Sequence, residues 1–347
     1  MSLDILSIVG ARPQFVKAAV LSRAFRQSGR INETILHTGQ HFDKDMSDIF
    51  FRQLAIPSPG YNLNVNGGLH GEMTAEMLTR IEAVLKDNRF HLIVVYGDTN
   101  STLAGALAAA KLHIPIVHVE SGLRSFNRSM PEEINRVLTD HLSTLLFCPT
   151  NASVKNLGNE GIIDGVYLVG DVMYDATRFA LRQRSTESIL GAFGLVSAQY
   201  NIATLHRAET TSSAANLQRA LNYIADESDG VRTVVPLHPR TKAAIERWGL
   251  KLGELELTAP VGYVEMAALL SQALMVFTDS GGLQKEAYFH RVPCVTLRSE
   301  TEWIETIEHG WNRLWSTPEY KDRSEILEYG NGEAGREISE RIVDFFS

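Results

Sequence analysis

Three carboxylates and three arginines crowd into HVESGLRSFNRSMPEEINR, residues 118–136: Glu120, Glu132 and Glu133 against Arg124, Arg128 and Arg136. Pro131 suits the first position of a helix, which places Glu132 and Glu133 in the first turn, where carboxylates complement the helix dipole. Glu132 and Arg136 stand four apart, a favourable helical pair worth about 0.2–0.5 kcal/mol. That explains a helix start but not Glu120, which follows directly on the strand-like IVHV. A carboxylate at that point either faces a cleft or is buried with a partner. Two carboxylates in one site can have separated pKa values, so one can serve as acid while the other serves as base.

Other chemistry-bearing residues also stand where apolar runs end. In SIVGARPQFVKAA, Pro13 is suited to the start of a helix, and the amides around it, with Arg12 and Lys17, make an anion site or simply a solvated helix end. In VVYGDTNSTLAGALAAA, Asp98 is either a functional carboxylate or the N-cap of the helix that follows. In LMVFTDSGGLQKEA, a strand, Asp-Ser-Gly-Gly and a helix set bare amides and the Ser280 hydroxyl at a helix N-terminus, where Gly281 and Gly282 let a phosphate approach. Glu286, further along, is placed either to accept from ribose hydroxyls or to face solvent. Two further strands end in histidine, His206 in ATLHRAETT and His238 in VVPLHPRT.

The elements that must position these groups alternate along the chain. Continuously apolar runs such as HLIVVYGD, IPIVHVE, TLLFCPT, NIATLHR and LMVFTDS read as strands covered on both faces, as in parallel sheets, and helical stretches such as TLAGALAAAKL separate them. This is the pattern of doubly wound α/β domains. At 347 residues two domains are expected. The division falls near VYLVGDVMYDATRFALRQRSTESILGAFGL, giving two Rossmann-like domains of five or six strands, residues 1–171 and 172–332, facing each other across a cleft. In open α/β sheets ligands sit beyond the carboxyl ends of the strands, which is where the charged segments lie. A net charge of −8 argues against a nucleic-acid partner. The N-terminus shows no signal peptide, and no apolar run approaches the ~18 residues that span a bilayer. Cys148 and Cys294 have no metal-like or redox-like spacing and read as buried free thiols of a soluble cytoplasmic protein.

Taken together, HTGQH, GDTNSTLAGALAA, HVESGLRS, PEEINR, HRAE, LHPRT and DSGGLQKEA resemble the non-hydrolysing UDP-N-acetylglucosamine 2-epimerase family over nearly the whole chain. The resemblance implies the two-domain fold of B-type glycosyltransferases, with the last helix (about 333–347) crossing back to the first domain, and a homodimer. It implies that UDP binds through Ser280, Gly281 and Gly282, that Glu286 holds the ribose, and that Arg12 and His206 face the diphosphate. Asp98, Glu120 and Glu132 would surround the sugar, and Lys17, Arg136 and His238 match further site positions. No metal or redox cofactor is implied. The implied chemistry interconverts UDP-N-acetylglucosamine and UDP-N-acetylmannosamine: UDP is eliminated to leave a 2-acetamidoglucal, then adds back after C2 is protonated on the opposite face.

Three segments leave the commoner family pattern: GARPQF stands for GTRPEA, LRSFNRSMPEE for a longer segment, and RSETEWIE for a TERPE-like one. These variants look like relatives that epimerise UDP-2,3-diacetamido-2,3-dideoxyglucuronic acid, an alternative substrate. The same fold would also serve a hydrolysing relative, a UDP-sugar glycosyltransferase or a non-catalytic sensor. Retention of every candidate site group favours the epimerase.

Overall fold

A computed structural model of the protein describes residues 2–40 and 54–346. The chain divides into two compact units, Met1–Ala176 with Leu327–Ser347, and Thr177–Ile326. Each is built on one sheet whose strands all run parallel.

In the first unit the strands are β1 (Leu3–Val9), β2 (Ile31–His37), β3 (Tyr61–Asn62), β4 (Leu92–Tyr96), β5 (Ile116–Val119), β6 (Leu145–Cys148) and β7 (Val166–Leu168). Their order in the sheet is β3-β2-β1-β4-β5-β6-β7. β4 is LIVVY, buried at every position, as a strand covered on both faces must be. The chain winds outward from β1 in one direction and then returns to lay β4 on its other side. The switch point between β1 and β4 opens a crevice at the carboxyl ends of those strands, the usual place for a ligand.

The second unit repeats the plan with β8 (Asn201–Thr204), β9 (Thr233–Pro236), β10 (Leu255–Thr258), β11 (Met275–Thr278), β12 (Cys294–Thr296) and β13 (Asn312–Leu314). Here the order is β10-β9-β8-β11-β12-β13, with its switch point between β8 and β11. Each sheet holds one strand that the apolar pattern does not reveal. β3 is only two residues long, at a sheet edge. β13 reads Asn-Arg-Leu and is buried through polar contacts instead: the Thr296 hydroxyl donates to Asn312, and the Arg313 guanidinium donates to Tyr223 and pairs with Glu227.

The chain re-enters the first unit at Leu327. The helix Ala334–Phe346 then packs on the helix Arg12–Ser28, and Gly335 is required there, because a Cβ would press into the Val20 side chain 2.5 Å away. The Asp175 carboxylate accepts from the first amides of that last helix, Ala334 N at 3.2 Å and Gly335 N at 2.9 Å. Carboxylates satisfy such unpaired amides and complement the positive end of the helix. Among the described residues, no helix is long and apolar enough to cross a membrane.

Candidate functional site

At the switch point of the first unit, the turn after β1 gives no open cradle of amides. Gln14 Oε1 accepts from Gly10 N (2.8 Å) and Ala11 N (3.0 Å), while Gln14 Nε2 donates to Tyr96 O (2.8 Å) and Thr102 Oγ1 (2.9 Å). Of the amides expected to receive an anion there, those of Gly10 and Ala11 are thus already taken by a buried glutamine. Arg12, half-buried, opens the helix and Pro13 follows it. Lys17, from the next turn, forms an ion pair with Glu120; each side chain is 9% exposed.

Glu120 is delivered by a distorted strand end. Its amide and that of Ser121 both donate to Phe147 O (3.1 Å each), and Glu120 adopts φ +68°. A non-glycine residue held in the left-handed region is strained by about 1–3 kcal/mol, which the surroundings must over-determine. The crevice beside Glu120 is lined by Val119, Phe147, Val169, Asp171 and Ile338. Asp98 follows β4, but it is not the cap of the next helix. Thr99 takes that role, accepting from Thr102 N at 3.3 Å. Asp98 is thus left for an ion pair with Arg136, Oδ2 to Nη2 at 3.3 Å, and its own carbonyl accepts from Asn135 Nδ2 at 2.9 Å.

The helix Pro131–Leu142 begins with Pro131 at its first position, as expected. Its two glutamates part company. Glu133 is buried and accepts from Ser125 N, Ser125 Oγ and Phe126 N, all at 2.9 Å, besides pairing with Arg136 Nε at 3.2 Å. Glu132 is exposed, and its side chain makes no hydrogen bond or ion pair among the described residues. The expected Glu132–Arg136 pair is therefore replaced by Arg136 bridging Glu133 and Asp98, with only the Glu132 carbonyl accepting from Arg136 Nε (3.3 Å). Lys17, Asp98, Glu120 and Arg136 are brought together at the ends of β1, β4 and β5, since Lys17 Nζ and Glu120 Oε2 both stand within 3.5 Å of where a Cβ on Gly97 would lie.

Beneath them lies a network that sequence reasoning missed. His118 points inward from β5 and is wholly buried. Its Nε2 lies 2.8 Å from the carbonyl of Gly97 and its Nδ1 lies 2.7 Å from Asp140 Oδ1. Asp140 Oδ2 accepts from Gly122 N (3.1 Å) and Arg124 Nη1 (2.6 Å), and Arg124 reaches on to Glu160. Burial alone would push the Asp140 carboxyl up, but His118 and Arg124 outweigh it and hold the carboxyl below the usual carboxylate range. The network therefore grips the chain beside both Asp98 and Glu120. The only signal for it was an inward-facing polar residue in an apolar strand.

In the second unit the two strand-end histidines meet, with the His206 and His238 rings 5.8 Å apart. Asp279, fully buried at the end of β11, accepts from His206 N (3.1 and 3.0 Å) and Arg207 N (3.0 Å), which shapes the turn after β8. His238 Nδ1 accepts from Arg240 N (3.2 Å), so the tautomer consistent with this bond carries its proton on Nε2. At the helix Gly281–Phe289 the glycines differ in role. A Cβ on Gly281 would collide with the Glu302 carboxylate, whereas a Cβ on Gly282 would meet only Glu286 Oε1 and Ser280 Oγ, each 4.0 Å away. The open approach to the helix start is at Gly282, flanked by those two oxygens.

Cys148 and Cys294 are free and buried, and burial pushes both thiols up to about 12, so neither is a nucleophile near neutral pH. Among the described residues no cluster of histidine, cysteine and carboxylate side chains could hold a metal. His41, the last residue of HTGQH, lies outside the described residues.

A family model described as UDP-N-acetylglucosamine 2-epimerase matches residues 23–340. The chain belongs to the UDP-N-acetylglucosamine 2-epimerase family. Within and around that family, it is 50% identical to the UDP-2,3-diacetamido-2,3-dideoxy-D-glucuronate 2-epimerase of Pseudomonas aeruginosa, over 98% of this chain and 99% of that one. The crystal structure of the Methanocaldococcus jannaschii UDP-GlcNAc 2-epimerase in complex with UDP-GlcNAc and UDP matches with a TM-score of 0.86 at 39% identity, covering 99% of this chain and 100% of that one. The Neisseria meningitidis UDP-GlcNAc 2-epimerase bound to UDP-GlcNAc gives a TM-score of 0.88 at 28% identity, with coverage of 99% and 100%. The two parallel-sheet units are thus those of the UDP-N-acetylglucosamine 2-epimerase family, whose members are UDP-sugar isomerases.

Proposed function

We propose that the protein inverts C2 of a UDP-sugar, interconverting UDP-N-acetylglucosamine and UDP-N-acetylmannosamine without hydrolysing them. The observation that carries this reading is the gathering of Lys17, Asp98, Glu120 and Arg136 at the carboxyl ends of β1, β4 and β5. The C2 proton of a nucleotide sugar is too weakly acidic for simple exchange. A carboxylate therefore takes it as the C1–O bond breaks, and that bond's electron pair leaves with UDP. The C2–H electrons become the C1=C2 bond of a 2-acetamidoglucal. A second carboxyl group protonates C2 on the opposite face while a UDP oxygen re-forms the bond to C1.

Glu120, held by its ion pair with Lys17, accepts the proton in one direction. Glu132, without a side-chain partner among the described residues, and Asp98 are the groups for the opposite face, and in the reverse reaction the roles exchange. Arg12 and His206 stabilise the departing diphosphate. Ser280, Gly281 and Gly282 hold the diphosphate end of UDP and Glu286 its ribose, with His238 and Arg136 beside the substrate. The work needs no metal or redox cofactor. We place the enzyme, as a homodimer in the cytoplasm, in the supply of precursors for surface polysaccharides.

A second substrate is favoured by two observations. One is the 50% identity to the diacetamido-glucuronate enzyme. The other is Arg128, an exposed cation with no partner among the described residues, in a segment that leaves the commoner pattern. A uronic acid carboxylate would pair with it.

Turnover in heavy water tests the chemistry. Product must carry deuterium at C2, and Glu120→Gln or Glu132→Gln should lower turnover by about 100- to 10,000-fold while UDP affinity changes far less. Product that keeps its original C2 hydrogen would exclude elimination and re-addition.

A further inference from the structure

In the second unit, Trp303 is 5% exposed, yet its indole Nε1 has no hydrogen-bond partner among the described residues. A buried donor left unpaired costs about 1–3 kcal/mol, so such a group in a native fold calls for an explanation. Nε1 stands 3.4 Å from where a Cβ on residue 281 would lie, over the N-terminus of the helix Gly281–Phe289. Over the ring sits a cation: Lys285 Nζ, itself almost wholly buried, lies 3.7 Å from the ring centroid. A cation over an indole draws electron density from the ring and strengthens its N–H as a donor.

The same place already holds an anion. The Glu302 carboxylate lies against Gly281, in space that any larger residue would fill. It is kept there by Arg298 Nη1 at 2.8 Å and Arg207 Nη2 at 3.6 Å. Burial would push this carboxyl up, but Arg298, helped by Arg207, outweighs burial and holds it below the usual carboxylate range. Two guanidinium groups thus hold a carboxylate of the protein itself, Arg298 at Oε2 and Arg207 at Oε1, with Oε1 over the same helix N-terminus that Trp303 Nε1 approaches.

The geometry points to an anion subsite over Gly281 that takes a phosphate oxygen of the UDP diphosphate, with Trp303 Nε1–H as its donor and the Glu302 carboxylate as the internal anion it displaces. This rests on the reading of the second unit as the nucleotide site. On arrival of the diphosphate, Glu302 keeps Arg298 and yields its position over Gly281, while Arg207 turns from Glu302 to the phosphate. Glycine at 281 is required on either side of the exchange.

Calorimetric titration of the full chain with UDP and with uridine, which lacks phosphate, tests the assignment. Trp303→Phe keeps the apolar ring and removes the donor. It should raise the Kd for UDP about tenfold, equivalent to about 1.4 kcal/mol, and leave uridine within about twofold. Glu302→Gln should tighten UDP several-fold, because the displaced group no longer carries charge. In the parent chain labelled with 15N tryptophan, the indole resonance missing from the Phe variant should shift on adding UDP but not uridine. A UDP Kd unchanged in Trp303→Phe, or an equal loss for uridine, overturns the subsite while the nucleotide reading stands. Failure of the parent to bind UDP removes both.

Discussion

Replacing Asp140 by Asn changes one buried atom and should unsettle the first unit more than any exposed substitution near the carboxylates. The two oxygens of Asp140 serve His118 Nδ1, Arg124 Nη1 and Gly122 N at 2.7, 2.6 and 3.1 Å. Asparagine keeps the shape but turns one acceptor into a donor facing an N–H, and leaves the buried Arg124 with Glu160 as its remaining charged partner and the Leu123 carbonyl as a neutral one. Removing one partner of a buried ion pair costs about 3–5 kcal/mol, against a typical domain stability of about 5–15 kcal/mol. Because its carboxyl is held low, the stability Asp140 contributes is present above the ordinary carboxylate value and is lost as pH falls through the lower folded one. The deficit of the variant should therefore be whole at pH 7 and shrink only well below pH 4. All four tryptophans, Trp248, Trp303, Trp311 and Trp315, lie in the second unit, so their fluorescence reports that unit. Denaturant unfolding followed by circular dichroism, with tryptophan fluorescence recorded in parallel, separates the loss in the first unit from the other transition. A loss below about 1 kcal/mol at pH 7 would refute the claim that this network holds the chain around Asp98 and Glu120.

Two further outcomes follow from named groups. Burial raises the Asp175 carboxyl from 3.8 to about 6, so its stabilising contribution is whole below the unfolded value and is lost as pH rises through about 6. Asp175→Asn stays neutral, and the stability gap should move in the variant's favour by roughly 3 kcal/mol between pH 4 and 7; a gap independent of pH, in thermal unfolding across that range, counts against it. Arg128→Ala should lower kcat/KM for the diacetamido-uronic acid substrate by about 10- to 100-fold, the worth of one charge-assisted bond, and leave UDP-N-acetylglucosamine unaffected. Equal kinetics for both substrates would remove Arg128 from sugar recognition.

Much of the architecture could be read from the chain because parallel strands buried on both faces must be continuously apolar, as LIVVY in β4 is. β13 escaped because its burial is satisfied by hydrogen bonds, which leave no apolar trace. The strand ends that carry Asp98, Glu120, His206 and Ser280 were legible for the same reason that the strands were. Their partners were not. Lys17 meets Glu120 across 103 positions, and no local spacing announces such a pair. Similarly, Glu132 and Glu133 are equivalent as letters. Which one turns inward depends on the loop amides of Ser125 and Phe126 that Glu133 collects.

The return of the last helix to the first unit has a consequence for synthesis. Residues up to Ala176 leave the ribosome long before Ala334, separated by the entire second unit. At about 5–20 residues per second, that interval is on the order of 10–30 s. For its duration the face of the first helix around Val20 has no cover, and the Asp175 carboxylate has no helix to cap. The nascent first unit is a sheet with one side unfinished, and a chaperone or the slow arrival of its own far end must guard that side. A circular permutant that begins at residue 327 would deliver the covering helix first and remove the wait.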